Sequence, residues 1–343
     1  MNFEFATATR IVFGAGKLAE AGPVAGALGD RALLVSGRTL ERARPLMNVL
    51  DSFITYSVAG EPTFDVVRAG VEQARLEECD VVISFGGGSV IDTGKAIAML
   101  LANGGDPLDY AEVIGAGQPI TKPSAPFLAI PTTAGTGAEV TRNAVLGSPE
   151  HRVKVSLRSP LMLPAVALVD PDIVYASVPC RLDALTQLIE SFVSRKANPM
   201  TDAICREGMR RWREGGNENW ALAALFSGMA LANAGLGAVH GFAAPLGGMY
   251  DAPHGALCAA LLPHVFAMNR RRAAPARFEE VERIVGDLGQ LCEGLQVPVL
   301  RTYGVRREDF PAIIAKAAAS NSMKANPIEL TNDELREILE RAF

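Results

Sequence analysis

Two histidines and one aspartate are the residues in this chain whose types and spacing suit metal chemistry. His240 and His254 are two of only four histidines. Both lie in the segment AVHGFAAPLGGMYDAPHG, residues 238–255. The sequence predicts that His240 ends an apolar helix and that His254, after Pro253, opens the next one. A turn rich in glycine and proline between them would bring the two imidazoles to one point. Upstream, Asp183 and Gln187 are four residues apart and share one face of a predicted helix. One carboxylate and two imidazoles form a set that holds a divalent transition metal and leaves a position open. Any one histidine is more simply read as a core residue with a hydrogen bond. Two of them flanked by this much glycine and proline favour a function.

The second chemical feature is Ser84-Phe85-Gly86-Gly87-Gly88-Ser89-Val90, where an apolar run meets three glycines and a serine and passes into a helical pattern. Glycine permits positive φ and close approach of a ligand to the backbone. A helix start offers unpaired N–H groups and the positive end of the dipole, which suits a diphosphate, and Ser89 adds a hydroxyl. The pattern is neither GxGxxG nor a Walker A loop. Three successive glycines cost entropy that a mere turn does not need, so an anion site is expected here. A second polar loop, Pro131-Thr132-Thr133-Ala134-Gly135-Thr136-Gly137-Ala138-Glu139-Val140, again follows an apolar run and would open on the same side of the same sheet.

These features need elements to position them. Arg31–Ser36, Asp80–Phe85, Pro126–Pro131 and Ala165–Asp170 are short apolar runs of the kind found in buried parallel strands. Thr63–Glu78 between the first two is amphipathic, and Val90–Leu101 is a strongly apolar helix. Alternation of this kind specifies a parallel α/β sheet with right-handed crossovers. From about Asp183 onward the periods are helical: Leu182–Val193, Asn219–Ala234, Gly255–Met268, Phe278–Gly294, Arg307–Ser320 and Thr331–Ala342. Thr331 and Glu334 form a capping box. The expected architecture is an α/β dinucleotide-binding domain, residues 1–175, followed by an all-α metal and substrate domain, residues 176–343. Ligands of such proteins bind at the carboxyl ends of the strands, facing the second domain.

Composition sets the outer bounds. The chain has 343 residues, 49% apolar and 21% charged, and its 33 basic against 38 acidic side chains leave a net charge of −5. That is globular composition, long enough for two domains and without the basic surface a nucleic-acid partner would need. The triplet Arg270-Arg271-Arg272 reads as a solvated helix end. The five cysteines, Cys79, Cys180, Cys205, Cys258 and Cys292, are scattered without a CxxC pair, so a reducing cytoplasm is expected. The segment MNFEFATATR lacks the apolar core of a signal peptide, and no apolar stretch is long enough to span a bilayer.

Taken together, these segments resemble the iron-containing (group III) alcohol dehydrogenases, a family that includes maleylacetate reductases and relatives of glycerol dehydrogenase. The resemblance runs through Arg10–Gly16, Gly86–Ala98 (GGGSVIDTGKAIA), Pro131–Thr141 (PTTAGTGAEVT), Lys154–Pro171, Asp183–Ala203, His240–Gly255 and Asn326–Leu339. It implies a dehydroquinate synthase-like fold, with NAD or NADP on the N-terminal sheet. Gly86, Gly87, Gly88 and Ser89 would lie at the pyrophosphate, and Thr132, Thr133, Thr136 and Lys154 along the nicotinamide half. It also implies Fe2+ or Zn2+ on Asp183, Gln187, His240 and His254, with Asp183, His240 and His254 as the catalytic set. The reaction implied is hydride transfer between an alcohol carbon and nicotinamide, on a small alcohol or carbonyl substrate. A homodimer without nucleic-acid or membrane partners is expected.

The chain departs from the family pattern at two site positions. Gln187 stands where metal-dependent members carry histidine, and its amide oxygen is a poorer ligand for iron or zinc. Ala244 stands where many members carry another histidine. The turn between Pro179 and Leu182 and the stretch around Arg210–Ala221 are also short against the family. Where NAD-specific members place an acid after the second strand, this chain reads Val35-Ser36-Gly37-Arg38-Thr39, which leaves room for a 2′-phosphate that Arg38 can pair with. The competing readings are a metal-free maleylacetate-type reductase, with Arg142, Lys154 and Arg158 as its candidate carboxylate-binding cations, a sugar-phosphate cyclase, and a non-catalytic dinucleotide-binding protein.

Overall fold

The computed structural model describes residues 2–151, 153–250 and 252–343. The chain divides into two compact units. One comprises Ala6–Thr133 and Gly137–Tyr175; the other comprises Ala134–Thr136 and Ala176–Phe343, with residues 2–5.

The first unit is built on a six-stranded parallel sheet. In chain order its elements are β1 (Arg10–Phe13), α1 (Ala21–Gly26), β2 (Ala32–Gly37), α2 (Arg44–Met47), β3 (Phe53–Val58), α3 (Phe64–Leu76), β4 (Val81–Gly86), α4 (Gly88–Asn103), α5 (Pro107–Tyr110) and β5 (Phe127–Pro131). A hairpin follows, β6 (Asn143–Ser148) and β7 (Val153–Arg158), and then β8 (Val166–Val169). The sheet order is β1-β8-β5-β4-β2-β3. Strands β2, β4, β5 and β8 occupy the interior of the sheet and read as continuous apolar runs because both faces are covered. Leu33, Val35, Val82, Phe127 and Ala129 face a core shared with Phe64, Val67, Val71 and Ile97. Their neighbours Ala32, Leu34, Val81, Ile83 and Leu128 face a second core with Leu18, Ala21 and Leu46.

The sequence does not single out β1, β3 or the hairpin. β1 and β3 are the two edges of the sheet, and half-buried edge strands lack the double-sided apolar signature. In β6 buried and part-exposed residues alternate.

The second unit is helical. It contains α6 (Val178–Val193), α7 (Pro199–Glu214), α8 (Asn217–Ala234), α9 (Ala238–Met249), α10 (His254–Arg270), α11 (Pro275–Val285), α12 (Leu288–Gly294), α13 (Phe310–Ala318) and α14 (Asn332–Ala342). Helix α6 is its axis: every residue from Leu182 to Val193 is buried. Ser177 caps it by accepting from the Cys180 N–H, and Pro179 lies in its first turn. Thr331 and Glu334 form the expected capping box on α14. Glycines set three helix breaks. Gly215 and Gly216 (φ +76° and +89°) make the tight α7–α8 junction, Gly235 (φ +74°) ends α8, and Gly286 (φ +89°) splits the predicted helix 278–294 into α11 and α12. Among the described residues no single helix is long and apolar enough to cross a membrane.

Candidate functional site

The break at Gly235 decides where His240 sits. It is the third residue of α9, near the helix start, and not at the end of the preceding helix as the sequence suggested. Asn326 and Glu190 satisfy that helix start. The Ala238 N–H donates to Asn326 Oδ1 (3.2 Å) and the Val239 N–H to Glu190 Oε1 (2.6 Å). A side chain at Gly237 would meet the same two groups at 2.9 and 3.0 Å, so only glycine lets the carboxylate reach the backbone. The other oxygen of Glu190 lies 2.6 Å from His240 Nδ1. The Nδ1 proton is shared with that carboxylate, and Nε2 is turned the other way.

His254 is the first residue of α10. The glycine after it permits the close packing of α10 on α6: a Cβ at Gly255 would lie 2.4 Å from the Pro179 carbonyl oxygen and 3.4 Å from the Asp183 Cβ. Three elements therefore converge on one point. His240 Nε2 is 3.4 Å and His254 Nε2 3.8 Å from the same oxygen, Asp183 Oδ1. Cys258, one turn along α10 from His254, brings its Sγ to 3.8 Å from His240 Nε2 and 3.7 Å from His254 Nε2. One donor atom each from Asp183, His240, His254 and Cys258 lies within 4.8 Å of the others.

Asp183 Oδ1 is buried and makes no hydrogen bond. An orphaned carboxylate oxygen inside a protein is costly unless a cation meets it. The electrostatics agree. Burial works against charge on His240, but Cys258 and Glu190 outweigh it and raise its pKa well above the ordinary histidine value. Cys258 does most to raise that of His254. Burial opposes ionisation of Asp183 as well, yet the two imidazoles hold its carboxyl below the usual range. The pocket thus attracts positive charge, and its donor set fits a divalent transition metal. Gln187, one turn beyond Asp183 on α6, is buried with its Oε1 2.7 Å from the Ser227 hydroxyl.

The glycine turn lies in the sheet unit. Gly86 ends β4, Gly87 is the N-cap of α4, and Gly88 begins the helix. None of the three has positive φ, so backbone freedom does not require glycine here. A Cβ at Gly86 would lie 2.6 Å from the Val90 side chain, and one at Gly87 would lie 3.2 Å from Thr133 Oγ1. The Thr132 N–H donates to the Gly86 carbonyl (2.9 Å), which ties the end of β5 to that of β4. The α4 N-terminus has Thr133 against it and Ser89 in its first turn, an arrangement that could hold an anion. Arg38 is exposed just past β2. Lys154, on β7, pairs with Glu61 at 3.1 Å. Thr136 belongs to the short segment Ala134–Thr136 that groups with the helical unit, where Gly135 sits against Cys180.

Three residues in or beside the motifs have roles that spacing alone does not reveal. Lys95 is fully buried and donates to Ala138 O, Thr141 Oγ1 and Asn143 O at 2.8, 2.9 and 2.7 Å, pinning the loop after β5 to α4. Glu190 lies within the segment Asp183–Ala203 but the resemblance assigns it no role, and Cys258 lies just beyond the segment His240–Gly255. Their spacing carried a signal all the same. Cys258 is four residues after His254, and Glu190 is seven after Asp183, which places each on the ligand face of its helix.

Comparison with known proteins gives a consistent result. Residues 8–171 match the family described as iron-containing alcohol dehydrogenase, and residues 177–343 match the Fe-containing alcohol dehydrogenase family, C-terminal. The 1,3-propanediol dehydrogenase of Citrobacter freundii is 33% identical, with 92% of each chain covered. The lactaldehyde reductase of Escherichia coli (strain K12) is 33% identical with the same coverage. The crystal structure of a 1,3-propanediol oxidoreductase superposes with a TM-score of 0.91 at 30% identity, covering 100% of both chains.

Proposed function

The chain belongs to the iron-containing alcohol dehydrogenase family, and from that membership we propose an NAD(P)-dependent alcohol dehydrogenase or carbonyl reductase whose divalent metal is held by Asp183, His240 and His254. The observation that carries the metal part is the orphaned Asp183 Oδ1, faced by His240 Nε2 and His254 Nε2. A metal held there supplies Lewis acidity to the alcohol or carbonyl oxygen. Asp183 contributes the negative charge that retains a dication. Glu190 keeps the Nδ1 proton of His240, so that Nε2 presents its lone pair.

In the sheet unit, the backbone of Gly86, Gly87 and Gly88 and the Ser89 hydroxyl bind the cofactor diphosphate at the start of α4. Thr132, Thr133 and Lys154 bind its nicotinamide half. Arg38 follows the small Ser36-Gly37 turn and reaches the adenosine ribose, where no acid repels a 2′-phosphate. Both NAD and NADP are therefore accepted. The names of the relatives, a 1,3-propanediol dehydrogenase and a lactaldehyde reductase, suggest short aldehydes and alcohols that carry a second hydroxyl as substrates.

The test is oxidation of NADH and NADPH by the purified protein against short hydroxyaldehydes, simple aldehydes and maleylacetate. The reading expects turnover with the aldehydes and a cofactor preference under ~100-fold, or about 2.7 kcal/mol. Binding of dinucleotide without oxidation by any aldehyde would overturn it, and turnover restricted to maleylacetate would move the chain to the reductase branch of the family.

A further inference from the structure

We propose that Cys258 is a metal ligand, that its sulfur takes the place left by Gln187, and that the resulting Asp183–His240–His254–Cys258 set selects zinc over iron. The inference deepens the functional reading above and rests on it for the presence of a metal, which would meet the substrate oxygen by expanding from four ligands to five.

Geometry is the first argument. A tetrahedral zinc with bonds of about 2.0 Å to nitrogen or oxygen and about 2.3 Å to sulfur separates nitrogen from sulfur by about 3.5 Å and oxygen from nitrogen by about 3.3 Å. The sulfur–nitrogen separations here are 3.8 and 3.7 Å, and the oxygen–nitrogen separations are 3.4 and 3.8 Å. These four edges match a tetrahedron to within about 0.5 Å, and the other two are no longer than 4.8 Å, so side-chain rotations bring the four atoms onto one ion. Cys258 is fully buried, and its sulfur faces both ring nitrogens that the ion would occupy. A packing cysteine has no need of such neighbours.

Gln187 is the second argument. Its Oε1 is engaged by the Ser227 hydroxyl at 2.7 Å inside the α6–α8 contact, so the amide is held by the fold and serves packing. Charge is the third. On metal binding the thiol gives up its proton to solvent. One carboxylate and one thiolate then neutralise a dication within the pocket, which a neutral amide cannot do. Thiolate is a soft ligand, and exchanging an imidazole or amide for it favours zinc over iron.

The test is a titration of the metal-free full-length protein with Co2+, followed by displacement with Zn2+. Wild type should bind one cobalt per chain and show a near-ultraviolet thiolate-to-cobalt charge-transfer band, which zinc abolishes. Cys258→Ala should lose the band and bind cobalt at least ~10-fold more weakly, while Gln187→Ala should keep both band and stoichiometry. A band that survives in Cys258→Ala would overturn the assignment, because another thiol would then be its source. Cobalt bound to wild type without a sulfur band, with aldehyde reduction intact, would overturn the role of Cys258 and leave the functional reading standing. No cobalt bound by a protein that still reduces aldehydes would overturn the assignment and the metal-assisted part of that reading together. The absence of the band from wild type overturns the assignment even if a variant fails to fold.

Discussion

Glu190 Oε2 lies 2.6 Å from His240 Nδ1, and the same carboxylate caps the start of α9 through the Val239 N–H. One side chain therefore fixes both the helix that carries the histidine and the orientation of its ring. Carboxylates behind metal-binding histidines raise ligand basicity and fix the tautomer, and their loss costs about 10–100-fold in metal affinity. Glu190→Gln should lower zinc affinity by that range with the metal still bound. Competition against a chromophoric chelator measures it. Unchanged affinity would reduce Glu190 to a helix cap.

The sheet unit gives a separate prediction. A methyl group at Gly87 would press on Thr133 Oγ1 at 3.2 Å and stand between the backbone and a bound diphosphate. Gly87→Ala should weaken NADH binding at least ~10-fold, about 1.4 kcal/mol, while the melting temperature stays nearly constant because the backbone there has no positive φ. Fluorescence titration of NADH against the folded variant is the measurement. Equal affinity would remove the cofactor from this turn.

Lys95 makes a structural prediction within a segment that reads as functional. Its ammonium satisfies two carbonyls and a hydroxyl in a fully buried position, with Asp92 at 3.6 Å. Lys95→Met keeps the stem and leaves those acceptors unpaired beside a buried carboxylate. The expected loss is about 3–5 kcal/mol, read by urea denaturation. A loss under ~1 kcal/mol would mean that water replaces the ammonium.

Glu139 should make stability depend on pH in an unusual direction. Burial pushes its carboxyl up to about 7, against an ordinary value of 4.5. Between those two values the folded chain holds a proton that the unfolded chain releases. Stability contributed by this group is therefore present below pH 4.5 and lost as pH rises through about 7. Glu139→Gln cannot ionise and should remove that loss, on the order of 3 kcal/mol at pH 8. Thermal melts of both proteins from pH 5 to 8, with the variant no more stable at the upper end, would contradict it.

Much of this architecture is legible in the residues. The interior strands β2, β4, β5 and β8 announce themselves because burial on both faces demands unbroken apolar runs. The edges β1 and β3 and the hairpin do not, since half-exposed strands need no such run. Most of the helical unit is readable from period and caps, but α7 does not stand out, and the breaks between helices depend on single glycines. Gly235 moved His240 from a helix end to a helix start, and Gly286 divided one predicted helix into two. At the site, the histidine and aspartate residues stand out by type. Glu190 and Cys258 do not, because their meaning comes from contacts across 50 and 18 residues of chain. Only the packing of α6, α9 and α10 brings those contacts about.

The central claim, a metal-assisted dehydrogenase, is tested most directly by removing and restoring the metal. Purified protein stripped with a chelator is assayed for NADH and NADPH oxidation with a short hydroxyaldehyde, before and after addition of one equivalent of Zn2+ or Fe2+ per chain. The account predicts that stripping abolishes turnover without unfolding the protein, that zinc restores it, and that NADH binding is unchanged throughout. Full turnover in protein shown to be metal-free by elemental analysis would contradict the account.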